Sequence, residues 1–259
     1  MTIFTDDIIL RIVQSELTSD FKNAVLAELV QYGWAFLTRE SYGLAHYYDI
    51  EELQSAYGEL KPDPYAEQRN RAYLRLTYDQ RTGKLTEHGN EPYQQTYEAN
   101  DLDGHVQRRF PPIPERMRNS LAFRHLIARN IAIVLATYEI DDSEISLGIH
   151  TVRYLARARK PSFSSPIWLH KDDEPAVVMN VIGESPGLVG GDSIISPDAK
   201  KYVERVFHLG SFEGMILSRN TFHMVVPMEP PRGECEGYRD MVLTTFQASK
   251  ARMRIRRLP

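Results

Sequence analysis

The spacing of apolar and polar residues in the first half of the chain predicts helices and one short strand. Over residues 18–32 the apolar side chains recur every three or four positions, as in an amphipathic helix. Thr18 offers an N-cap side chain and Gly33 a C-terminal stop, and these two residues set the limits of the helix. The apolar run at 34–37 predicts a strand directly after it. A second helical period over 114–138 predicts a helix that supports one face of a sheet.

From residue 149 onward the pattern changes to short β-rich runs separated by turn residues. These runs lie at 151–155, 176–182, 192–195, 214–217, 223–226 and 239–246. Repeated short strands with turn residues between them are typical of a barrel or a jelly roll. The region 61–112 is rich in Tyr, Gln, Asn, Arg, Pro and Gly and predicts loops and hairpins. The predicted fold class is therefore mainly β with flanking helices (α+β).

Composition and charge narrow the classes of partner. The chain has 259 residues, 42% of them hydrophobic, and a formal net charge of -4, so it folds and has no general basic field to hold nucleic acid. No run of apolar residues is long enough for a membrane helix. The single cysteine, Cys235, excludes an intramolecular disulfide and a zinc site built on several thiolates. We expect a cytoplasmic protein that binds neither nucleic acid nor a membrane.

Several common catalytic motifs are absent. The sequence contains no dinucleotide-binding glycine motif after a strand, no P-loop, no Gly-x-Ser-x-Gly elbow and no His-Glu-x-x-His. These absences weaken the interpretation as a nucleotide-dependent enzyme or a serine esterase.

A His-x-Asp pair, His170 and Asp172, lies between two β-rich runs. On an extended strand residues i and i+2 point to the same face, so both side chains can converge on one ion while Lys171 and Asp173 point away. A second histidine, His223, lies on a later β-rich run. Together the three give a 2-His-1-carboxylate facial triad, which leaves adjacent coordination positions open and suits non-haem Fe(II).

Arg239 lies on the next β-rich run, among apolar neighbours. A guanidinium that projects into a core is costly unless it pairs with an anion, and its planar fork fits a carboxylate with two hydrogen bonds. A dicarboxylic cosubstrate would satisfy it. The competing interpretation is an ordinary salt bridge to Asp or Glu at the rim of the barrel.

With these residues the sequence resembles the Fe(II)/2-oxoglutarate-dependent dioxygenases, and in particular the bacterial branch typified by L-isoleucine 4-hydroxylase, which acts on free amino acids. The segments that carry the resemblance are His170 to Asp172, Gly190 to Ser193, His223 ahead of Pro227 and Met228, Arg239 and Asp240, and, more loosely, Tyr32 to Phe36 and Arg108 to Ile113.

The resemblance implies a double-stranded β-helix (jelly-roll or cupin-like) core with Fe(II) at His170, Asp172 and His223. It also implies that Arg239 holds the distal carboxylate of 2-oxoglutarate, with Tyr154 and Ser164 as further contacts to this cosubstrate. The expected partners are O2 and a small free amino acid, which is hydroxylated at an unactivated sp3 carbon with succinate and CO2 as coproducts.

The residues that bind the substrate are expected in the loops near the mouth of the barrel, since such loops commonly carry binding residues. Arg71, Arg75 and Arg109 are candidates to clamp a carboxylate, and Tyr93 is a candidate to line an apolar pocket. The substrate could instead be an amino acid bound to a carrier protein or within a peptide. The same residue pattern is also compatible with a non-catalytic cupin-type barrel and with a metal-dependent hydrolase or epimerase.

The expected organisation is a single dioxygenase domain over 1–259. Within it we expect helical support and substrate loops in 1–140, a metal-binding β core in 141–249 and a basic tail in 250–259, interpreted as a solvated terminal segment. The sequence makes no prediction of the oligomeric state.

Overall fold

The computed structural model describes residues 17–43, 49–89, 91–95, 105–164, 166, 168–198, 202–247 and 252–258. Its helices are α1 (Ser19–Tyr32), α2 (Arg39–Tyr42), α3 (Ile50–Ala56), followed by a 3-10 turn (Tyr57–Glu59), α4 (Glu115–Asn119) and α5 (Leu121–Thr137). No helix within these ranges is long and apolar enough to cross a membrane.

The strands form three antiparallel sheets. They are β1 (Trp34–Leu37), β2 (Arg69–Asp79), β3 (Leu85–His88), β4 (Tyr138–Ile140), β5 (Glu144–Arg157), β6 (Ala176–Glu184), β7 (Ser193–Ser196), β8 (Arg205–Phe207), β9 (Gly214–Ser218), β10 (Phe222–Val225), β11 (Glu236–Gln247) and β12 (Met253–Ile255). The large sheet has the order β1-β9-β6-β11-β5-β2-β3, the small sheet β10-β7-β8, and β12 pairs with β4. The mainly β fold with a jelly-roll core is confirmed.

The large sheet is buried on both faces, which explains why nearly every residue of β6 is buried. Alternate residues of β11 point to opposite faces. Val242 and Phe246 belong to the apolar cluster that includes α5, whereas Met241 belongs to a second cluster with Met179 and with Ile195 of the small sheet. The interior of the jelly roll is therefore the space between the large and small sheets, and the helices cover the outer face.

A buried polar contact fixes α5 on the large sheet. Asn130, fully buried on the helix, donates from Nδ2 to Asn180 Oδ1 (2.8 Å) and to Thr244 Oγ1 (2.9 Å). Asn180 in turn donates to the hydroxyl of Tyr42 (2.7 Å). Because buried polar groups are costly without partners, this chain of hydrogen bonds favours one position of the helix.

Most predicted elements of the β half are present, and the second predicted helix needs a correction. The single helix expected over 114–138 is two helices, because Ser120 has an extended backbone and caps α5: its Oγ accepts from the amide of Phe123 (3.1 Å). The charge pattern of the tail predicts a solvated segment, but Met253 is buried and lies in β12. The division at residues 140 and 249 stays a prediction.

Candidate active site

His170, Asp172 and His223 converge as the sequence predicts. One ligand atom from each lies within 4.8 Å of the other two. Nε2 of His223 is 3.4 Å from Asp172 Oδ2, and Nε2 of His170 is 3.9 Å from Asp172 Oδ1. Two imidazoles and one carboxylate therefore face a common point, with a geometry suited to one small cation.

The backbone that presents these ligands differs from the prediction in one respect. The sequence predicts a regular strand for His170 and Asp172, but both lie in the irregular segment before β6. His170 is held by an isolated bridge to His223 of β10, in which each amide donates to the other's carbonyl oxygen (3.1 and 2.9 Å). The bridge attaches this segment to the small sheet. The three side chains therefore converge through tertiary pairing as well as through the two-residue spacing of His170 and Asp172.

Both histidine rings are fixed in the same tautomer. Nδ1 of His170 lies 2.9 Å from the carbonyl oxygen of Trp168, and Nδ1 of His223 lies 3.3 Å from that of Thr221. A carbonyl oxygen can only accept, so each Nδ1 carries the proton and each Nε2 keeps a free lone pair toward Asp172. This is the form in which histidine binds a metal.

The protonation states at this point follow from burial. Burial lowers the pKa of His170, helped by the adjacent His223, and lowers the pKa of His223 to about 4. Burial raises the pKa of the Asp172 carboxyl. Both imidazoles are thus neutral near pH 7, and a bound cation would stabilise the charged carboxylate.

The triad opens into a cavity, here called the metal cavity, that Tyr154 and Ser164 also line. Met179, Met241 and Leu243 form its apolar wall on the large sheet. The Oγ atom of Ser164 is buried without a hydrogen-bond partner in the described structure. A buried hydroxyl is costly in that state, so a polar ligand beside the triad would satisfy it.

Arg239 is 1% exposed and lies two residues before Met241, on the same face of β11. Its Nη1 donates to Glu184 Oε2 (2.7 Å), and its Nη2 donates to the carbonyl oxygen of Leu209 (3.1 Å). The salt bridge of the competing interpretation is therefore present. However, Arg239 Nε is buried with no partner in the described structure, and this leaves a donor for an anion.

A second cavity adjoins the first and shares Tyr154, Asp172 and Leu243 with it. We call it the arginine cavity, because three arginines line it together with aromatic and acidic side chains. Besides Tyr154 and Asp172, the ionisable side chains of its lining are Arg69, Arg71, Arg108, Tyr93, His150 and Glu174. Whatever occupies this space lies beside the carboxylate of the triad.

The predicted substrate residues divide between this cavity and other positions. Arg71 and Tyr93 line it, whereas Arg75 and Arg109 are not part of its lining. Arg75 shares a face of β2 with Arg71 but lies four residues farther along, or about 13 Å, where it donates to Ser146 (2.8 Å). Arg109 is exposed, because side chains alternate along this extended segment and that of Arg108 points inward. Both arginines lie outside the lining of this cavity, and a substrate role for them stays a prediction.

Four lining residues with ionisable side chains were not assigned to a site from the sequence: Arg69, Arg108, His150 and Glu174. The spacing of residues along the sequence could have predicted two of these four. Arg69 precedes Arg71 by two residues, and Glu174 follows Asp172 by two, so each pair repeats the i, i+2 spacing that brings side chains to one face.

The arginines of this cavity differ in their partners. Arg69 forms a buried ion pair with Asp63 (2.6 Å). Arg71 contacts Nδ1 of His150 (2.8 Å) through Nη2, and Arg108, 4% exposed, donates to the amide oxygen of Gln95 (2.6 Å). Burial and the positive charge of Arg69 lower the pKa of Arg71 to about 10. Burial also lowers the pKa of His150, so the cavity carries its positive charge on the guanidinium groups.

Comparison with known proteins identifies relatives over most of the chain. A sequence model described as 2OG-Fe dioxygenase matches residues 54–245. The chain is 33% identical over 205 residues to 3(1)-hydroxy-L-isoleucine 4-dioxygenase of Pantoea ananatis (strain AJ13355), which covers 78% of this chain and 82% of that protein. It is 32% identical over 201 residues to L-isoleucine-4-hydroxylase of Bacillus thuringiensis, covering 76% and 82%.

The fold also matches solved structures. The crystal structure of IDO from Bacillus thuringiensis has a TM-score of 0.76 against this protein at 24% identity, and the match covers 91% of this chain and 99% of that one. At this identity the match establishes the fold alone.

Proposed function

The chain belongs to the 2OG-Fe dioxygenase family, and from this premise we propose that it hydroxylates a small free amino acid at an unactivated sp3 carbon. Members of this family are enzymes that use Fe(II) and 2-oxoglutarate. Bound together, these two supply the activation of O2 and the cleavage of a C–H bond, and 2-oxoglutarate leaves as succinate and CO2.

We assign the metal to His170, Asp172 and His223. The donor set supports this assignment, since two neutral imidazoles and a carboxylate from one side are the ligands that non-haem Fe(II) takes. Each histidine already presents Nε2, because its Nδ1 proton is given to a backbone carbonyl.

We assign 2-oxoglutarate to the side of the metal cavity formed by Tyr154 and Ser164, and its distal carboxylate to Arg239, which lies beyond the lining of this cavity. The unpartnered hydroxyl of Ser164 and the unpartnered Nε of Arg239 are two donors available to carboxylate oxygens. Arg239 and Tyr154 are register partners on β11 and β5, so both come from the same part of the sheet. Met179, Met241 and Leu243 keep this space apolar and exclude water.

The observation that carries the substrate proposal is the arginine cavity beside the triad. Arg71 and Arg108 form no ion pair within the described residues, and they line a space that reaches Asp172. A carboxylate there would satisfy both, and its carbon chain would extend past Leu243 toward the triad. A small aliphatic amino acid has this form, and the two curated relatives are named for isoleucine or hydroxyisoleucine.

A panel of free amino acids, beginning with L-isoleucine, tests this proposal. We expect succinate formation that depends on Fe(II), on 2-oxoglutarate and on one or a few aliphatic amino acids, with a product heavier by one oxygen atom. If none of them raises succinate above background while a carrier-bound or peptide-bound amino acid does, the free-amino-acid proposal is wrong.

A further inference from the structure

The arginine cavity is also lined by a buried acid, Glu174. Glu174 is 4% exposed and forms no ion pair within the described residues. It is outside the cluster of possible metal ligands, which comprises His170, Asp172 and His223. Burial, together with the charge of Asp172, raises the pKa of the Glu174 carboxyl to about 7. A cation beside Glu174 would stabilise its charged form, as an anion would satisfy the arginines.

Tyr93 separates the two charged ends. Its hydroxyl donates to Glu174 Oε1 (3.2 Å), so the tip of the ring marks the acidic end. The guanidinium carbons of Arg71 and Arg108 lie 5.7 and 5.1 Å from the ring centroid of Tyr93, so the basic end lies beside the same ring. The positive and negative groups therefore lie one aromatic side chain apart, and both line the same cavity.

Only some ligands satisfy both ends. A carboxylic acid or a second dicarboxylate neutralises the arginines and leaves Glu174 without a counter-charge. A zwitterion would supply both charges, with its carboxylate beside Arg71 and Arg108 and its ammonium group beside Glu174.

We propose that Glu174 binds the α-ammonium group of the substrate, with Tyr93 orienting the acid, and so restricts the enzyme to α-amino acids. This inference rests on the proposed function and names the residue that selects the amino group. A site that hydrogen-bonds one polar group rejects an analogue that cannot replace it, because the protein group is then left unpaired.

The first experiment uses the wild-type protein with Fe(II) and 2-oxoglutarate under anaerobic conditions, so that binding is measured without turnover. Calorimetry compares L-isoleucine with 2-hydroxy-3-methylpentanoate, in which a hydroxyl replaces the ammonium group. We expect the hydroxy acid to bind at least about tenfold more weakly, because it cannot form the charge-assisted hydrogen bond.

The second experiment repeats the comparison with Glu174→Gln, which keeps the shape of the side chain and removes its charge. We expect this variant to bind L-isoleucine about tenfold more weakly or worse, and the hydroxy acid as well as the wild type does. Tyr93→Phe keeps the charge of Glu174 and removes one hydrogen bond, so it should retain the preference for the amino acid. Glu87→Gln, on β3 and outside the cavity lining, serves as the control and should bind both as the wild type does.

Two outcomes would overturn the inference. One is a wild-type protein that binds the amino acid and the hydroxy acid equally well, a result that does not depend on whether Glu174→Gln folds. The other is a folded Glu174→Gln protein that keeps the wild-type preference. In both cases the wild type still hydroxylates an amino acid, so the inference fails while the proposed function stands. If the wild type neither binds nor hydroxylates any free amino acid of the panel, both are wrong.

Discussion

At the triad, hydrogen bonds to the protein backbone prepare the side chains for a metal. The Nδ1 protons of His170 and His223 are held by carbonyl oxygens two residues earlier in each case. Because these acceptors are part of the chain, the rings keep the ligand tautomer before any cation binds. A lower rate in a variant of the triad should therefore reflect the loss of that metal-binding side chain.

Replacing any member of the triad by Ala should abolish turnover and leave the fold intact, because two remaining ligands hold Fe(II) poorly. Succinate formation and the iron content of the purified protein measure the effect for His170→Ala, Asp172→Ala and His223→Ala. Asp173→Ala is the control and should keep its iron, since Asp173 is not in the ligand cluster. An inactive Asp173→Ala variant together with an active Asp172→Ala variant would mean that the wrong carboxylate has been assigned to the metal.

Arg239 needs a pair of variants, because it already has an acidic partner. Arg239→Leu removes both the ion pair with Glu184 and the donors for 2-oxoglutarate, and the KM for 2-oxoglutarate should rise tenfold or more, as about 1.5–3 kcal/mol is lost per charge-assisted bond. Glu184→Gln removes the ion pair (2.7 Å) and weakens the contact of Glu184 with His208, but it keeps the guanidinium group and should change this KM much less. Equal KM values in the wild type and in Arg239→Leu would return Arg239 to the role of a structural ion pair.

Among the elements, helix α5 matters most for the site, because it covers the outer face of the sheet that carries Tyr154 and Met241. A side chain from another segment caps its N-terminus. Asp49, directly before α3, accepts from the amide of Leu121 (2.6 Å), from that of Ala122 (3.2 Å) and from the hydroxyl of Ser120 (2.8 Å). One carboxylate therefore satisfies the helix end and joins α3 to α5.

Asp49→Ala should lower the free energy of unfolding by about 1–2 kcal/mol, since it removes both an N-terminal cap and a favourable charge at the helix end. Urea denaturation followed by circular dichroism measures this change. Glu51→Ala, in the first turn of α3 and exposed, is the matched control and should alter stability by less than about 0.5 kcal/mol. Equal effects of the two substitutions would argue against a capping role for Asp49.

For the whole molecule, the metal site joins the segment before β6 to the small sheet, at the place where His170 and His223 form an isolated bridge. His170 and Asp172 belong to the irregular segment before β6 of the large sheet, and His223 belongs to β10 of the small sheet. A cation bound between them would link the two sheets of the jelly roll. Metal binding should therefore be visible in global stability as well as in activity.

Fe(II) added anaerobically should raise the midpoint of thermal unfolding of the wild type. At a free metal concentration about 100 times Kd the gain is about 2.7 kcal/mol, which corresponds to about 5–10 °C for a domain of this size. Differential scanning fluorimetry measures the shift, and a chelator should reverse it. His223→Ala should show no shift, and an undiminished shift in that variant would place the metal elsewhere.

The sequence by itself determined the local features of the protein. The limits of α1, the strands of the β half and the two-residue spacing of His170 and Asp172 are all set by neighbours along the chain. Such features follow from backbone periodicity and capping, which depend only on nearby residues. The cytoplasmic location expected from the single cysteine stays a prediction.

Only the tertiary structure decided which charged residues meet at the site. Arg71 and Arg75 share one face of β2, yet of the two only Arg71 lines the cavity, whereas Arg75 donates to Ser146. Arg108 points inward and Arg109 outward because the bridge to Tyr93 fixes the register of that segment. Glu174 enters the same cavity because the bend after Asp172 packs beside Tyr93. Periodicity tells which face a side chain occupies, but its distance from a site on another element depends on how the elements pack.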